Sequence, residues 1–233
     1  MSMTIPGGIK VMTKATESPE ATYREIEHRR LAREAACEGI VLLENDGALP
    51  ISPCPIALFG AGAAATIKGG TGSGEVNERH SVTIEQGLIE AGFTITTDRY
   101  LREYEELLRT ERNKFNKAMR RRFLGGDFIN IMTTQFQYPA GKLLTDGDLY
   151  ESAAYACIYV IARQAGEGAD RKLGKHDFDL MPTEIANLKF LSGHFKKTIV
   201  AINSGGQMDL SPLGDLGANA IVYFCQQGME GAS

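Results

Sequence analysis

The sequence predicts an α/β fold: a mostly parallel sheet covered by helices on both faces, an α/β sandwich, with a helical insertion. Three observations predict it. Continuous apolar runs, IALF at 56–59, ACIYVIA at 156–162, TIVAI at 198–202 and AIVYF at 220–224, have the length and β-branched content of strands buried on both faces. Helical patterns separate them, as parallel strands require. Turn residues fall at most of the junctions, and no internal repeat is present.

Taken in order, residues 1–18 are polar and irregular and read as a loose N-terminal arm, leaving 19–233 as the sandwich domain. Ser18-Pro19 resembles a helix N-cap followed by proline at the first helical position. The helix it opens runs to Ile40, with Ile26, Leu31, Ala35 and Ala36 as its apolar side and Gly39 near its end. Pro50, Pro53 and Pro55 make a rigid connector into the first strand at 56–59, which enters Gly60-Ala61-Gly62. A helix over 82–90, stopped at Gly92, leads to an alternating strand at 93–96. Residues 100–122 are charged and helical in period, with Tyr104, Leu107, Leu108 and Phe115 as apolar contacts. The glycine-dotted stretch 125–148 resists assignment. The region around 99–150 is read as an insertion, because connections in compact α/β units are short. Regular alternation resumes with the strand at 156–162 and a helix opened by Pro182, carrying Ile185, Leu188, Leu191 and Phe195 inward. The strands at 198–202 and 220–224 complete the pattern.

Composition narrows the function classes. The 233 residues are 43% hydrophobic and 23% charged, as in a globular protein, with a net charge of −4. That balance argues against nucleic-acid and anionic-membrane partners. No apolar stretch approaches the ~20 residues of a membrane span, and the N-terminus lacks a signal-peptide pattern. Cys37, Cys54, Cys157 and Cys225 are scattered without a CxxC pair, which favours free thiols in a reducing cytoplasm over disulfides or zinc ligands.

Two glycine loops invite a nucleotide reading. Gly60-Ala61-Gly62-Ala63-Ala64-Ala65 follows a strand and fits GxGxxA. However, Thr66 to Gly74 cannot comfortably continue a helix, and no acidic residue ends a second strand about twenty residues on. A dinucleotide-binding domain is therefore the weaker alternative, and no cofactor is expected. The cluster 69–74 lacks the Lys-Ser or Lys-Thr of a Walker loop. It suits sugar hydroxyls instead, bound through backbone amides at Gly69 and Gly70 with Lys68 as a directed donor. Ser73, His80 and Asp98 form no recognisable triad, and no GxSxG elbow supports one. His28 and His194 read as surface residues, and His176 beside Asp177 and Asp179 shows no metal-ligand spacing. Arg120-Arg121-Arg122 reads as a solvated helical face.

The segment Arg163-Gln164-Ala165-Gly166-Glu167-Gly168-Ala169-Asp170-Arg171 carries the strongest functional signal. It puts Glu167 between two glycines just past the strand at 156–162, where α/β sheets present their chemistry. Glycine removes bulk and permits tight turns. Asp170 and Arg171 set the local field, and the two are expected to pair with each other.

The run at 31–45, LAREAACEGIVLLEN, followed by Leu49-Pro50-Ile51, resembles the opening of the α/β sandwich domain of family 3 glycoside hydrolases, which are β-glucosidase-like enzymes. Gly69-Gly70-Thr71-Gly72-Ser73-Gly74, the 163–171 loop and Asp177-Phe178-Asp179-Leu180-Met181-Pro182 are similar to later segments of that domain. The resemblance covers most of 28–98 and 155–233. It implies that Glu167 is the general acid/base of a retaining, exo-acting glycosidase on terminal β-linked sugars. Lys68, Gly69, Gly70, Asp170 and Arg171 become substrate-binding candidates. The nucleophilic aspartate would come from a barrel domain of the same polypeptide. Expected partners are that barrel and a carbohydrate, with self-association left open. The run at 226–233 resembles a glycine-rich loop entering a helix, so the chain is expected to be part of a longer enzyme. Its Met1 start suits either an inverted domain order or an artificial beginning. A non-catalytic carbohydrate-binding or interaction domain is the main alternative.

Overall fold

The computed structural model describes residues 20–71, 80–150, 152–166, 171–174, 177–230 and 232. The expected arm, 1–18, lies outside the described residues, as do the Ser18-Pro19 cap and residues 72–74 of the glycine cluster.

The first helix, α1 (Tyr23–Gly39), starts after the expected position. The Thr22 hydroxyl accepts from Glu25 N–H, and the Glu25 carboxylate accepts from Thr22 N–H at 2.7 Å. This reciprocal box satisfies two end groups at once and fixes the start. The predicted apolar side is only partly a core side: Ala36 is buried, but Ile26, Leu31 and Ala35 are exposed. A strand the sequence reading passed over follows, β1 (Val41–Asn45), exposed along its whole length. The predicted strands are present as β2 (Pro55–Phe59), β3 (Thr94–Ile95), β4 (Ala156–Arg163), β5 (Lys197–Ser204) and β6 (Ala220–Tyr223).

They form one six-stranded sheet in the order β1-β6-β5-β4-β2-β3. All neighbours are parallel except β1, which runs antiparallel to β6 with an irregularity between Leu42 and Glu44. β4 is buried at all eight residues, and β5 at all but Lys197. A strand covered on both faces has no polar side to alternate, which explains the unbroken apolar runs.

The helices are α2 (Ala61–Ala64), α3 (Ile84–Glu90), α4 (Asp98–Leu124), α5 (Phe128–Thr133), α6 (Asp146–Leu149) and α7 (Pro182–His194). α3 is capped by the Thr83 hydroxyl on Gln86 N–H at 3.1 Å, and Gly92 follows with φ 93°. Tyr100, Leu101 and Tyr104 seat the start of α4, with Leu107 and Leu108 half-buried beyond them. The stretch that resisted assignment holds two short helices, α5 and α6, joined by extended chain.

The chain crosses the sheet in one direction from β2 to β3. It then reverses, running through β4 and β5 to β6. Right-handed connections put α3 on one face and α4 with α7 on the other. Phe59 joins the latter two, meeting Tyr100 edge-on at 5.1 Å and Phe195 at 6.4 Å. The reversal leaves a crevice between the carboxyl ends of β2 and β4. Open α/β sheets bind their ligands at such a switch point.

Candidate active site

At the end of β2, Gly60 has φ 92°, and a Cβ there would lie 2.3 Å from the Val160 carbonyl oxygen. A Cβ on Gly62 would lie 2.6 Å from Val160 Cγ1. The two glycines thus let α2 pack directly on β4. The Gly60 N–H is directed at the Tyr100 hydroxyl at 3.3 Å, and α2 is only four residues long, with its first three buried. No space for a pyrophosphate exists there. GxGxxA is a packing motif in this chain, which removes the dinucleotide alternative.

Beyond α2 the chain forms the 66–71 loop, and Asn203 at the end of β5 fixes it. Asn203 Oδ1 accepts from Ile67 N–H at 2.6 Å, while its amide donates to the Ile67 carbonyl at 2.8 Å and the Cys225 carbonyl at 2.6 Å. Gly228 N–H donates to the Lys68 carbonyl at 2.8 Å. The loop then runs beside the exit of β4. Thr71 N–H donates to the Ala165 carbonyl at 2.9 Å, Thr71 pairs with Gly166 in a parallel bridge, and Gln164 Nε2 reaches the Gly69 carbonyl at 3.0 Å.

Glu167 and Asp170 lie outside the described residues, but both flanks of 167–170 are fixed. Before it, a Cβ on Gly166 would fall 2.0 Å from Thr71 Oγ1 and 2.4 Å from Gln135 Nε2, so a larger residue would have to displace both side chains. After it, Arg171 is held by four acceptors. Its guanidinium meets the Asp177 carboxylate at 2.6 Å, the Ser204 hydroxyl at 2.9 Å and the carbonyls of Gln164 and Arg163 at 3.1 and 3.4 Å. Asp177 is thus a described partner of Arg171, while the expected pair with Asp170 lies outside the described residues.

Beneath the loop, Arg163 is 1% exposed and forms a bidentate pair with Glu184 at 2.7 and 2.6 Å. It also donates to the Asp177 and Asp179 carbonyls at 3.2 and 3.1 Å. Glu184 Oε2 in turn accepts from Met181 N–H at 2.8 Å, capping α7. A charged pair taken out of water needs every remaining donor satisfied. Here two of the remaining donors tie the 177–181 segment to the end of β4, and another goes to the Ala162 carbonyl at 2.9 Å.

Lys68, Gly69 and Gly70, three of the predicted substrate-binding residues, line a cleft of about 100 Å3 together with Gln164. The structure adds two residues the sequence reading missed, Arg112 on α4 and Tyr138 in the chain after α5. Both come from the region read as an elaboration. The overlooked signal was the aromatic alternation Phe136-Gln137-Tyr138, which pairs with Phe115 and Arg112 only once α4 folds back on it. Arg171 does not line this cleft. Glu230, near the end of the chain, is buried and accepts from Arg29 Nε at 2.5 Å. Among the described residues no group of His, Cys, Asp or Glu side chains is placed to hold a metal, and no helix is long and apolar enough to cross a membrane.

A doubly wound α/β domain with a loop-built crevice at its switch point is the class these features define. Comparison with known proteins makes it specific. The Glycosyl hydrolase family 3 C-terminal domain matches residues 40–233, and the chain belongs to that family. It is 30% identical to Beta-glucosidase A of Butyrivibrio fibrisolvens, covering 92% of this chain and 27% of that protein. With Beta-glucosidase of Ruminococcus albus it shares 29% identity over 89% of this chain and 21% of that protein. Among solved structures, beta-glucosidase 3B from Thermotoga neapolitana in complex with α-D-glucose superposes with a TM-score of 0.71 at 31% identity, covering 89% of this chain and 28% of that one. The chain therefore spans about a quarter of the length of these relatives.

Proposed function

We propose that this chain is the acid/base-bearing domain of a retaining, exo-acting β-glucosidase, with Glu167 as the general acid and base. The relatives named above are β-glucosidases, which supports the activity. The observation that carries the residue assignment is the fixing of Gly166 and Arg171, which immediately flank 167–170 at the switch-point crevice.

In this reading a nucleophilic aspartate from the barrel attacks the anomeric carbon while Glu167 protonates the departing oxygen. Glu167 then removes a proton from the water that hydrolyses the glycosyl-enzyme, and configuration is retained. The two carboxyl groups would stand about 5–5.5 Å apart in the assembled enzyme. Lys68, with the backbone at Gly69 and Gly70, receives substrate hydroxyls at the cleft, and Asp170 is a further substrate-binding residue. Arg171 acts as a positioning residue through Asp177 and Ser204. The barrel and a terminal β-linked glucoside are the partners. A cytoplasmic location fits the four cysteines, all of which are free thiols.

Glu167→Ala in the complete enzyme tests the assignment. General acid/base catalysis contributes roughly 10²–10⁴-fold, so turnover of substrates with poor leaving groups should fall by about that much. Good leaving groups need little protonation, and their glycosylation step should be far less affected. Azide, which needs no deprotonation, should restore turnover as the β-glycosyl azide. Glu75→Ala is the control, a carboxylate just past the 69–74 glycine cluster that this reading leaves out of the chemistry. If Glu167→Ala keeps parental activity on every substrate, the acid/base lies elsewhere.

A further inference from the structure

The charged side chains among the described lining of the cleft that Gln164 and Thr71 flank are cationic. Lys68 and Arg112 both line it, and no described carboxylate does. Arg112 is the unusual member. Its neighbours on α4 are neutralised within the helix: Arg109 pairs with Glu106 and Lys114 with Glu111. Arg112 has no carboxylate partner and no hydrogen bond among the described residues. Its guanidinium instead lies over the Phe136 ring, 4.1 Å from the centroid, and 5.9 Å from the centroid of Tyr138.

Those rings form a rigid support. Phe136 is buried and packs edge-on against Phe115 at 5.5 Å and Tyr138 at 5.6 Å. A guanidinium stacked by its face keeps its N–H edges free, and that planar fork matches a carboxylate. Across the cleft, the Gly69 and Gly70 amides make no hydrogen bond to a described residue. Gln164, whose amide nitrogen is committed to the Gly69 and Ala165 carbonyls, also lines the cleft. The cleft is too small for a whole ligand and suits one charged end group.

We propose that this cleft is a leaving-group subsite for a ring-borne carboxylate, with Arg112 as the anion-binding residue. The proposal rests on the glycosidase reading for its role, since Gln164 and Thr71 line the cleft on either side of Gly166. The anion site itself is independent of catalysis. It gives the insertion a function: α4 and the 134–138 segment select the group that departs from the sugar. Two sources share this chemistry, a phenolic acid and a uronic acid.

Binding to this 233-residue chain tests the site without any turnover. Amide and Arg Nε–H resonances are followed while 4-hydroxybenzoate, 4-hydroxybenzamide, methyl glucuronide and methyl glucoside are titrated in turn. The acid of one pair or both should bind roughly ten- to a hundredfold more tightly than its neutral partner, as a charge-assisted pair implies. Shifts should appear at Arg112 Nε–H, Gly69 and Gly70. Benzoate preference identifies an aromatic leaving group, and glucuronide preference a sugar acid. Arg112→Met should abolish the preference, while Arg112→Lys should keep part of it. Equal binding of acid and neutral partner in both pairs overturns the proposal on the unaltered chain alone, as does a preference that survives Arg112→Met. An active Glu167→Ala enzyme with benzoate binding intact would instead withdraw the catalytic reading and leave the anion site standing.

Discussion

Asn203 holds both backbone groups of Ile67, a residue 136 positions earlier, accepting its N–H at 2.6 Å and donating to its carbonyl at 2.8 Å. One fully buried side chain therefore does the work of a strand pair at the point where the sheet ends and the loop of Lys68, Gly69 and Gly70 begins. A backbone that leaves its ladder in a buried place must find other partners, and an amide supplies a donor and an acceptor together.

Asn203→Ala should therefore leave the Ile67 N–H and carbonyl and the Cys225 carbonyl without partners. The expected loss is about 1–3 kcal/mol for each buried group left unsatisfied, reduced wherever water enters. A lower urea midpoint, with chemical-shift changes concentrated at 66–71 and 225–228, checks it. Asn203→Asp should be no better, because a carboxylate cannot donate to either carbonyl. A midpoint equal to that of the parent would show that the loop holds itself.

The Arg163–Glu184 pair yields a different signature. Glu184→Ala strands a buried guanidinium and uncaps α7, so a loss of about 3–5 kcal/mol is expected. Arg163→Met with Glu184→Leu removes both charges and should recover a large part of that loss. The double variant should nonetheless loosen the 177–181 segment, since the Asp177 and Asp179 carbonyls lose their donor. Urea midpoints of the three variants and hydrogen exchange at 177–181 measure the two effects separately. Full additivity of the single substitutions would contradict a coupled pair.

Acid stability should depend on Asp148. Burial raises its carboxyl, but the Lys142 ammonium, 2.6 Å away, and the Thr145 N–H and hydroxyl outweigh this and hold it below its ordinary value of 3.8. The folded state thus binds this proton less readily than the unfolded chain does. The contribution is fully present above the ordinary value and is lost as pH falls through it toward the lower folded value. Asp148→Asn should lower stability at neutral pH and flatten the decline across that acid range. Melting temperatures at pH 7, 4 and 3 provide the check, and an unchanged slope would place the acid sensitivity elsewhere.

The sequence by itself determined the sheet interior and the main helices. Strands such as β4 and β5 are buried on both faces, and α7 opens at Pro182 as predicted, because period and end signals are local properties. It also singled out the position of the Glu167 loop and the Lys68–Gly70 segment, since strand ends and glycine clusters can be read along the chain. The edge strand β1 escaped notice. VLLEN at 41–45 continues an apolar run out of α1, and only pairing with β6, some 180 residues later, makes it a strand. Tertiary structure alone decided that Gly60 and Gly62 serve packing against Val160 rather than a phosphate, and that Arg171 turns to Asp177. It also decided that the 99–150 region returns Arg112, Gln135 and Tyr138 to the crevice. Each of these depends on which distant atoms occupy the space beside a residue. Local patterning carries no information about that, because the contacts are fixed only when the chain reverses direction across the sheet.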